Sequence, residues 1–230
     1  MRSFVDFIFP PTCLCCNVLM EDGRRKVCES CWSSIESLEQ THPLYLDTKE
    51  KLLATGFVNN LVSCYAFTKE GAFQKIAHAL KYNGFESLGR ELGGRLGARA
   101  REWNILFDAV VPVPLHAAKH RERSYNQSER IAEGISRTVG VDVLRRALVR
   151  TRHTQSQTTL THQQRKENME NAFTVGPKYI SQINGKSVLL VDDVITTGAT
   201  ISECARALLV AGAANVIAGS AALAQKDSGL

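Results

Sequence analysis

The chain of 230 residues contains no long apolar run: nowhere do about 18 uncharged apolar residues stand together, the length needed to cross a bilayer. That absence excludes a predicted membrane-spanning helix, and no membrane insertion is expected. The opening stretch, Met1 to Pro11, is apolar, but Asp6 interrupts it and Pro10-Pro11 ends it, so it lacks the pattern of a signal peptide. The expected compartment is the cytoplasm. Blocks of like charge are also missing, and with charged residues at 22% nothing predicts a long disordered tail. Aromatic residues are scarce where nucleic-acid binding would need them. Between Pro112 and Asn171 Tyr125 is the only one, which leaves a stacking platform for single strands poorly supported there.

What is present is enough apolar residue, 44% of the chain, for one sizeable core with room for a small extra module. The formal charge of +5 is unevenly placed. Between Pro112 and Glu170 eleven Lys/Arg stand against six Asp/Glu, an excess equal to that of the whole chain, and four of the six His lie there too. Two readings fit, an ordinary solvated basic surface or a face that binds anions.

Four cysteines form two CxxC pairs, Cys13 with Cys16 and Cys28 with Cys31. A CxxC turn aims two thiolates at one point, so two such knuckles complete a tetrahedron of soft ligands around zinc. Iron in a rubredoxin-like site is the chemical alternative, and disulfides are not expected in the cytosol. With all four positions filled by protein, such a metal is structural and leaves no place for a catalytic water. Cys15 is a fifth thiol, either spare or in competition with Cys16, while Cys64 and Cys204 sit in apolar surroundings and read as core.

The predicted organisation is a zinc module over residues 1–40, a linker over 41–60 containing Pro43 and Gly56, and an α/β domain over 61–230. Within the last, Leu61 to Phe67 reads as a strand, Phe73 to Leu80 as a helix closed by Gly84, and Ser87 to Glu102 as a second helix. Gly89, Gly93, Gly94 and Gly97 in that second helix point to close helix packing, since no strand immediately precedes them as a dinucleotide fingerprint requires. Asp108 to Val113 has the β-branched, apolar character of a buried parallel strand, followed by a basic loop and a helix from Asn126 to Val139. Val141 to Val149 is a further predicted strand, and the polar segment from Thr151 to Asn171 has the length of a lid. Strands at Ser187 to Val191 and Asn215 to Ser220 flank a helix from Thr200 to Ala211. The alternation predicts a parallel sheet with helices on both faces.

The segment Val188 to Thr200 (VLLVDDVITTGAT) carries the chemistry. A buried strand delivers Asp192 and Asp193, and then Thr196, Thr197, Gly198, Ala199 and Thr200 lead into a helix whose start is supported by the capping-box spacing of Thr200 and Glu203. A helix N-terminus offers unpaired N–H groups and a positive dipole end, and Gly198 lets backbone approach a ligand. The Thr hydroxyls add donors, which makes a phosphate cup. Carboxylates would repel that phosphate, but at the carboxyl end of a strand they accept hydrogen bonds from sugar hydroxyls. Acids for a ribose beside a cup for its phosphate suit a ribose 5-phosphate. Gly185-Lys186-Ser187 ends like a P-loop, but Ile180 stands where the leading Gly is required and the segment precedes its strand, so it predicts no ATP site.

This segment resembles the signature of the type I phosphoribosyltransferases, which bind 5-phosphoribosyl 1-diphosphate (PRPP) with Mg²⁺. The resemblance implies that Asp192 and Asp193 hold the ribose hydroxyls, that Thr196 to Thr200 hold the 5′-phosphate, and that Mg²⁺ sits on the diphosphate. Purine-salvage members carry an Asp as general base where this chain has Thr196, so the loop is closer to the orotate type. The cysteine knuckles, LKYNG at Leu80 to Gly84, VPVPLH followed by RERSYNQ, the run from Gln157 to Phe173 and the terminal loop together resemble the ComF family of competence-associated proteins over nearly the whole chain. That family usually has Gly where this chain has Ser124.

By this second resemblance the basic loop takes the diphosphate, with Lys119, Arg121 and Arg123 as its cations, and Gln157 and Arg165 belong to the lid. Two functions follow as expectations. One is transfer of phosphoribosyl to an acceptor the sequence does not identify. The other is a non-catalytic, PRPP-dependent protein that handles single-stranded DNA alongside DNA-uptake proteins in natural transformation.

Overall fold

The computed structural model describes residues 10–21, 25–115, 123–150 and 172–225. In chain order its helices are α1 (Glu29–Ser33), α2 (Pro43–Leu53), α3 (Ala72–Tyr82), α4 (Glu86–Glu102), α5 (Gln127–Val139), α6 (Ile180–Ile183) and α7 (Ala199–Val210). The strands are β1 (Asn60–Ala66), β2 (Ala109–Pro112), β3 (Asp142–Val143), β4 (Leu148–Arg150), β5 (Phe173–Val175), β6 (Ser187–Ile195) and β7 (Asn215–Leu223). Five of them pair in the order β1-β7-β6-β2-β3, every pair parallel. β4 and β5 form a separate antiparallel ribbon.

The near-continuous apolar strands follow from burial on both faces. Along β6, Leu189 and Val191 join one core while Val188 and Leu190 join the other, the two-residue period of a strand. The first core is built with α3, α4 and α5, the second with α2 and α7. The glycines of α4 do allow close packing. A Cβ on Gly93 would lie 2.0 Å from the Ile131 carbonyl oxygen of α5, and one on Gly134 would lie 2.1 Å from that of Arg90, so backbone rests on backbone where these helices cross.

The cysteine module is docked on this domain and shares its first core through Cys13, Val27, Trp32 and Ile35. Trp32 of α1 is held on three sides. Its ring lies 5.8 Å from that of Tyr65 and 4.1 Å from the Arg95 guanidinium, and its indole N–H donates to Glu91 at 2.8 Å. Arg99 completes the attachment by donating to the Leu38 carbonyl and the Ser37 hydroxyl, each at 2.8 Å.

Several expected elements are corrected. The segment read as a linker over 41–60 contains α2, which starts with Pro43 in its first turn and His42 as the capping residue. Tyr45, Thr48 and Leu52 are buried on one side of that helix, and the Tyr45 hydroxyl donates to the Leu61 carbonyl at 2.9 Å. The strand expected over 141–149 divides into β3 and β4, which belong to different sheets. β6 runs four residues beyond Val191, so both acids lie within the strand, with Asp192 opposite Ser220 of β7. The capping box is absent: Gly198, with φ +76°, caps α7 without a side chain, the Thr197 hydroxyl accepts the Ala199 N–H at 3.4 Å, the Ser202 hydroxyl donates to the Gly198 carbonyl at 3.0 Å, and Glu203 pairs with Arg206 at 3.5 Å.

Candidate functional site

From β2 the chain moves outward to β3, and from β6 it moves the other way to β7, so the strand order reverses between β2 and β6. A crevice at the carboxyl ends of such a pair is where open parallel sheets bind ligands. Here it is a pocket of about 330 Å³. One wall is Asp192, Asp193, Thr196 and Thr200 from the end of β6 and the start of α7. Facing them are Arg123, Asn126, Gln127 and Ser128 at the entry to α5, with Lys81 from α3 and Arg150 from β4.

Of the residues singled out in the sequence, Asp192, Asp193, Thr196, Thr200 and Arg123 therefore meet in one place. Thr197, Gly198 and Ala199 shape the loop between them. The Thr197 hydroxyl accepts from the Ala199 N–H at 3.4 Å, and Gly198 holds a left-handed backbone where a Cβ would lie 2.7 Å from Leu52 of α2. Only glycine meets both demands without strain. Thr196, Thr197 and Thr200 are exposed, and the first N–H groups of the 12-residue α7 lack intrahelical partners, the Ala199 N–H being held by Thr197, so the end can receive an anion. Lys119, Arg121, Gln157 and Arg165, with the lid over 151–171, lie outside the described residues.

The acids are tightly organised. Asp192 accepts the Ser128 hydroxyl at 3.0 Å and the Asp193 N–H at 2.9 Å; Asp193 accepts the Val194 N–H at 2.8 Å and has the Lys81 ammonium at 3.9 Å. Burial, and after it the neighbouring Asp193 charge, push the Asp192 carboxyl from 3.8 up to about 7 against the opposing pull of these donors and of Lys81. Lys81 and Ser128 are not among the residues the sequence singles out for this site. Lys81 looks like a solvated cation at a helix end, and only the fold brings it to the end of β6, 3.9 Å from Asp193. The signal for Ser128 is weak, since it sits two residues after Asn126, whose side chain accepts the Ser128 N–H and thereby caps α5.

The four cysteine sulfurs lie within 4.8 Å of one another, and Cys16 and Cys28 are 3.8 Å apart. Zn–S bonds of about 2.3 Å in a tetrahedron demand S···S edges of about 3.8 Å, so the residues fit a structural zinc. Burial works against a Cys13 thiolate. The backbone N–H groups of Cys28, Cys16 and Cys15 outweigh it and bring the thiol down to about 6, with contacts of 3.3 Å from Cys28 and 3.4 Å from Cys15. The Cys15 thiol donates to the Ala72 carbonyl, 3.7 Å off, and is not one of the four sulfurs within 4.8 Å of one another; burial pushes it up to about 11. It is not a competing ligand in this arrangement.

Two measurements follow. Cys28→Ser should reduce bound zinc, read by elemental analysis, and lower the unfolding temperature; an unchanged zinc stoichiometry contradicts the site. For Asp192, the native state holds a proton between about pH 4 and 7 that the unfolded chain has released, so this group makes stability fall as pH rises through that window. Asp192→Asn, which stays neutral, should gain on the order of 3 kcal/mol more over wild type at pH 8 than at pH 4 in urea unfolding. An equal gain at both pH values contradicts the raised carboxyl.

Comparison with known proteins agrees with both halves of this description. Residues 122–230 match the phosphoribosyl transferase domain model and residues 4–43 the double zinc ribbon domain model. DNA utilization protein YhgH of Escherichia coli (strain K12) is 38% identical over 121 residues, 53% of this chain and 52% of that protein. Competence protein F of Haemophilus influenzae is 35% identical over 103 residues, 45% of this chain and 44% of that protein. The matches thus span about half the length of these curated relatives. Among solved structures, the glutamine PRPP amidotransferase from B. subtilis aligns with 22% identity and a TM-score of 0.41 over 57% of this chain and 26% of that one. Adenine phosphoribosyltransferase from Leishmania tarentolae aligns with 15% identity and a TM-score of 0.40 over 83% and 91%. The chain is a homologue of DNA utilization protein YhgH and competence protein F in which residues 4–43 match the double zinc ribbon domain and residues 122–230 the phosphoribosyl transferase domain.

Proposed function

We propose that the pocket between β2 and β6 binds PRPP. The observation that carries this reading is the placement of two carboxylates and a helix-start hydroxyl loop on one wall of a single pocket, with Arg123 and Lys81 across from them. Asp192 and Asp193 accept the ribose hydroxyls, and the hydroxyls of Thr196, Thr197 and Thr200 with the N–H groups of Gly198 and Ala199 hold the 5′-phosphate. Arg123, with Lys119 and Arg121 just before it in the sequence, neutralises the diphosphate. Gln157 and Arg165 belong to the segment that excludes water when ligand is bound.

Mg²⁺ fits this donor set, because it binds through one or two carboxylates together with substrate phosphates, and Asp192 and Asp193 are the carboxylates of the pocket. When bound it would supply charge neutralisation on the diphosphate. The competence connection of the relatives supports a role in DNA uptake, exercised in the cytoplasm alongside DNA-uptake proteins.

Two outcomes of binding remain distinct in chemistry. In transfer, the C1–O bond to diphosphate breaks with both electrons leaving on the diphosphate, and an acceptor nucleophile bonds to C1 of the ribose. In the second, PRPP is held as a ligand and the protein acts on single-stranded DNA. A specific observation favours the second: among the described residues lining the pocket there is no imidazole and no carboxyl group besides the pair, and Thr196 stands where purine-salvage enzymes have their base. With Asp192 and Asp193 both engaged by the ribose hydroxyls, no further described group in the pocket is placed to take a proton from an acceptor.

Calorimetric titration of PRPP with Mg²⁺ should give saturable heat with wild type and at least about 100-fold weaker binding with Asp192→Ala/Asp193→Ala, since hydrogen bonds to two charged groups are removed. Silence from the wild type overturns the reading. Release of diphosphate with candidate bases or single-stranded DNA would identify transfer, and its absence the binding role.

A further inference from the structure

We propose that Tyr82 is a stacking platform for a nucleobase at the rim of this pocket, a reading that rests on the PRPP assignment for what lies beside it. Tyr82 ends α3 and is 57% exposed. A lone exposed aromatic means little. This one has neighbours of a particular kind. The guanidinium carbon of Arg123 lies 5.6 Å from the ring centroid, and the imidazole of the exposed His78, one turn back on the same helix, lies 4.8 Å away at 45°. Arg123 and the adjoining Lys81 both line the pocket, so the ring is one guanidinium away from the place assigned to the ribose and its diphosphate.

The platform is also fixed in position. The Tyr125 hydroxyl and the Gln127 side-chain amide, the latter at 3.5 Å, both donate to the Leu80 carbonyl, which ties the end of α3 to the loop that carries Arg123. A helix end held in this way fixes the backbone that carries the ring, which lowers the cost of ordering it when a flat ligand lands on it. Bases of every kind present a π-face, and Arg123 and His78 supply cation and edge contacts around it. The sequence pointed away from stacking because the basic segment contains almost no aromatic residues. The fold supplies one from a different segment, the LKYNG run, and sets it against that segment's arginine. The ligand class is therefore a nucleobase, free as a nucleoside or carried in a single strand.

The test is fluorescence quenching of 2-aminopurine, which responds to stacking, in two probes: 2-aminopurine riboside and a short single-stranded deoxyoligonucleotide with one 2-aminopurine. An abasic strand of equal length is the control, and titrations run with and without PRPP and Mg²⁺. Wild type and Tyr82→Phe should quench alike, while Tyr82→Ala should bind base-bearing probes about tenfold more weakly. The abasic strand should not distinguish the three proteins, whose folding is checked by thermal melting. Quenching of the riboside identifies a free base as ligand, and quenching confined to the oligonucleotide identifies a strand; either supports the platform. Equal affinity of wild type and Tyr82→Ala for both base-bearing probes, or no quenching by wild type, overturns it. Failure of the PRPP assignment is seen separately, as a silent PRPP titration with quenching at Tyr82 intact.

Discussion

Two adjacent carboxylates at the end of a buried strand repel each other and resist desolvation, and much of the site is arranged around that conflict. The strand pairing of β6 with β2 and β7 brings Asp192 and Asp193 to the crevice where the strand order reverses. There the Ser128 hydroxyl, the backbone N–H groups of Asp193 and Val194 and the Lys81 ammonium surround the pair. These contacts hold the geometry without fully relieving the cost, which is why Asp192 is pushed up to about 7. A ligand that brings hydroxyl donors to both carboxylates relieves the same conflict, so the strain of the free site becomes part of its affinity.

The zinc module reaches this site through α3. Lys75 of that helix donates to the Cys15 carbonyl at 2.7 Å, its first residue Ala72 lies against the Cys15 thiol, and its last turn carries Lys81 and Tyr82 to the pocket. Trp32, clasped by Arg95 and Glu91, locks the module to α4, which rests on α5 through Gly93 and Gly134. α5 in turn starts at the Arg123-to-Ser128 wall. The module thus braces two of the helices that frame the pocket, a structural role that matches its lack of an open coordination position.

Legibility in the sequence followed the range of the forces involved. The cysteine knuckles and the loop from Asp192 to Thr200 act through neighbours a few residues away, and both were readable. The glycines of α4 were also readable, because their spacing on one helical face has a packing meaning. α2 was hidden. Pro43 reads as part of a linker although it begins the helix, and only the docking of Tyr45 and Leu52 against β1 and Gly198 gives the segment a reason to fold. Lys81, Ser128 and Tyr82 acquire their meaning from contacts 41 to 112 positions away, as with Lys81 to Asp193, and no local pattern announces them.

The most direct test of the central claim is a crystal structure of the protein with PRPP and Mg²⁺. The account predicts the ribose hydroxyls on Asp192 and Asp193 and the 5′-phosphate within the loop from Thr196 to Thr200. Density for the 5′-phosphate anywhere else, or a ribose that leaves both carboxylates without a hydroxyl partner, would contradict it.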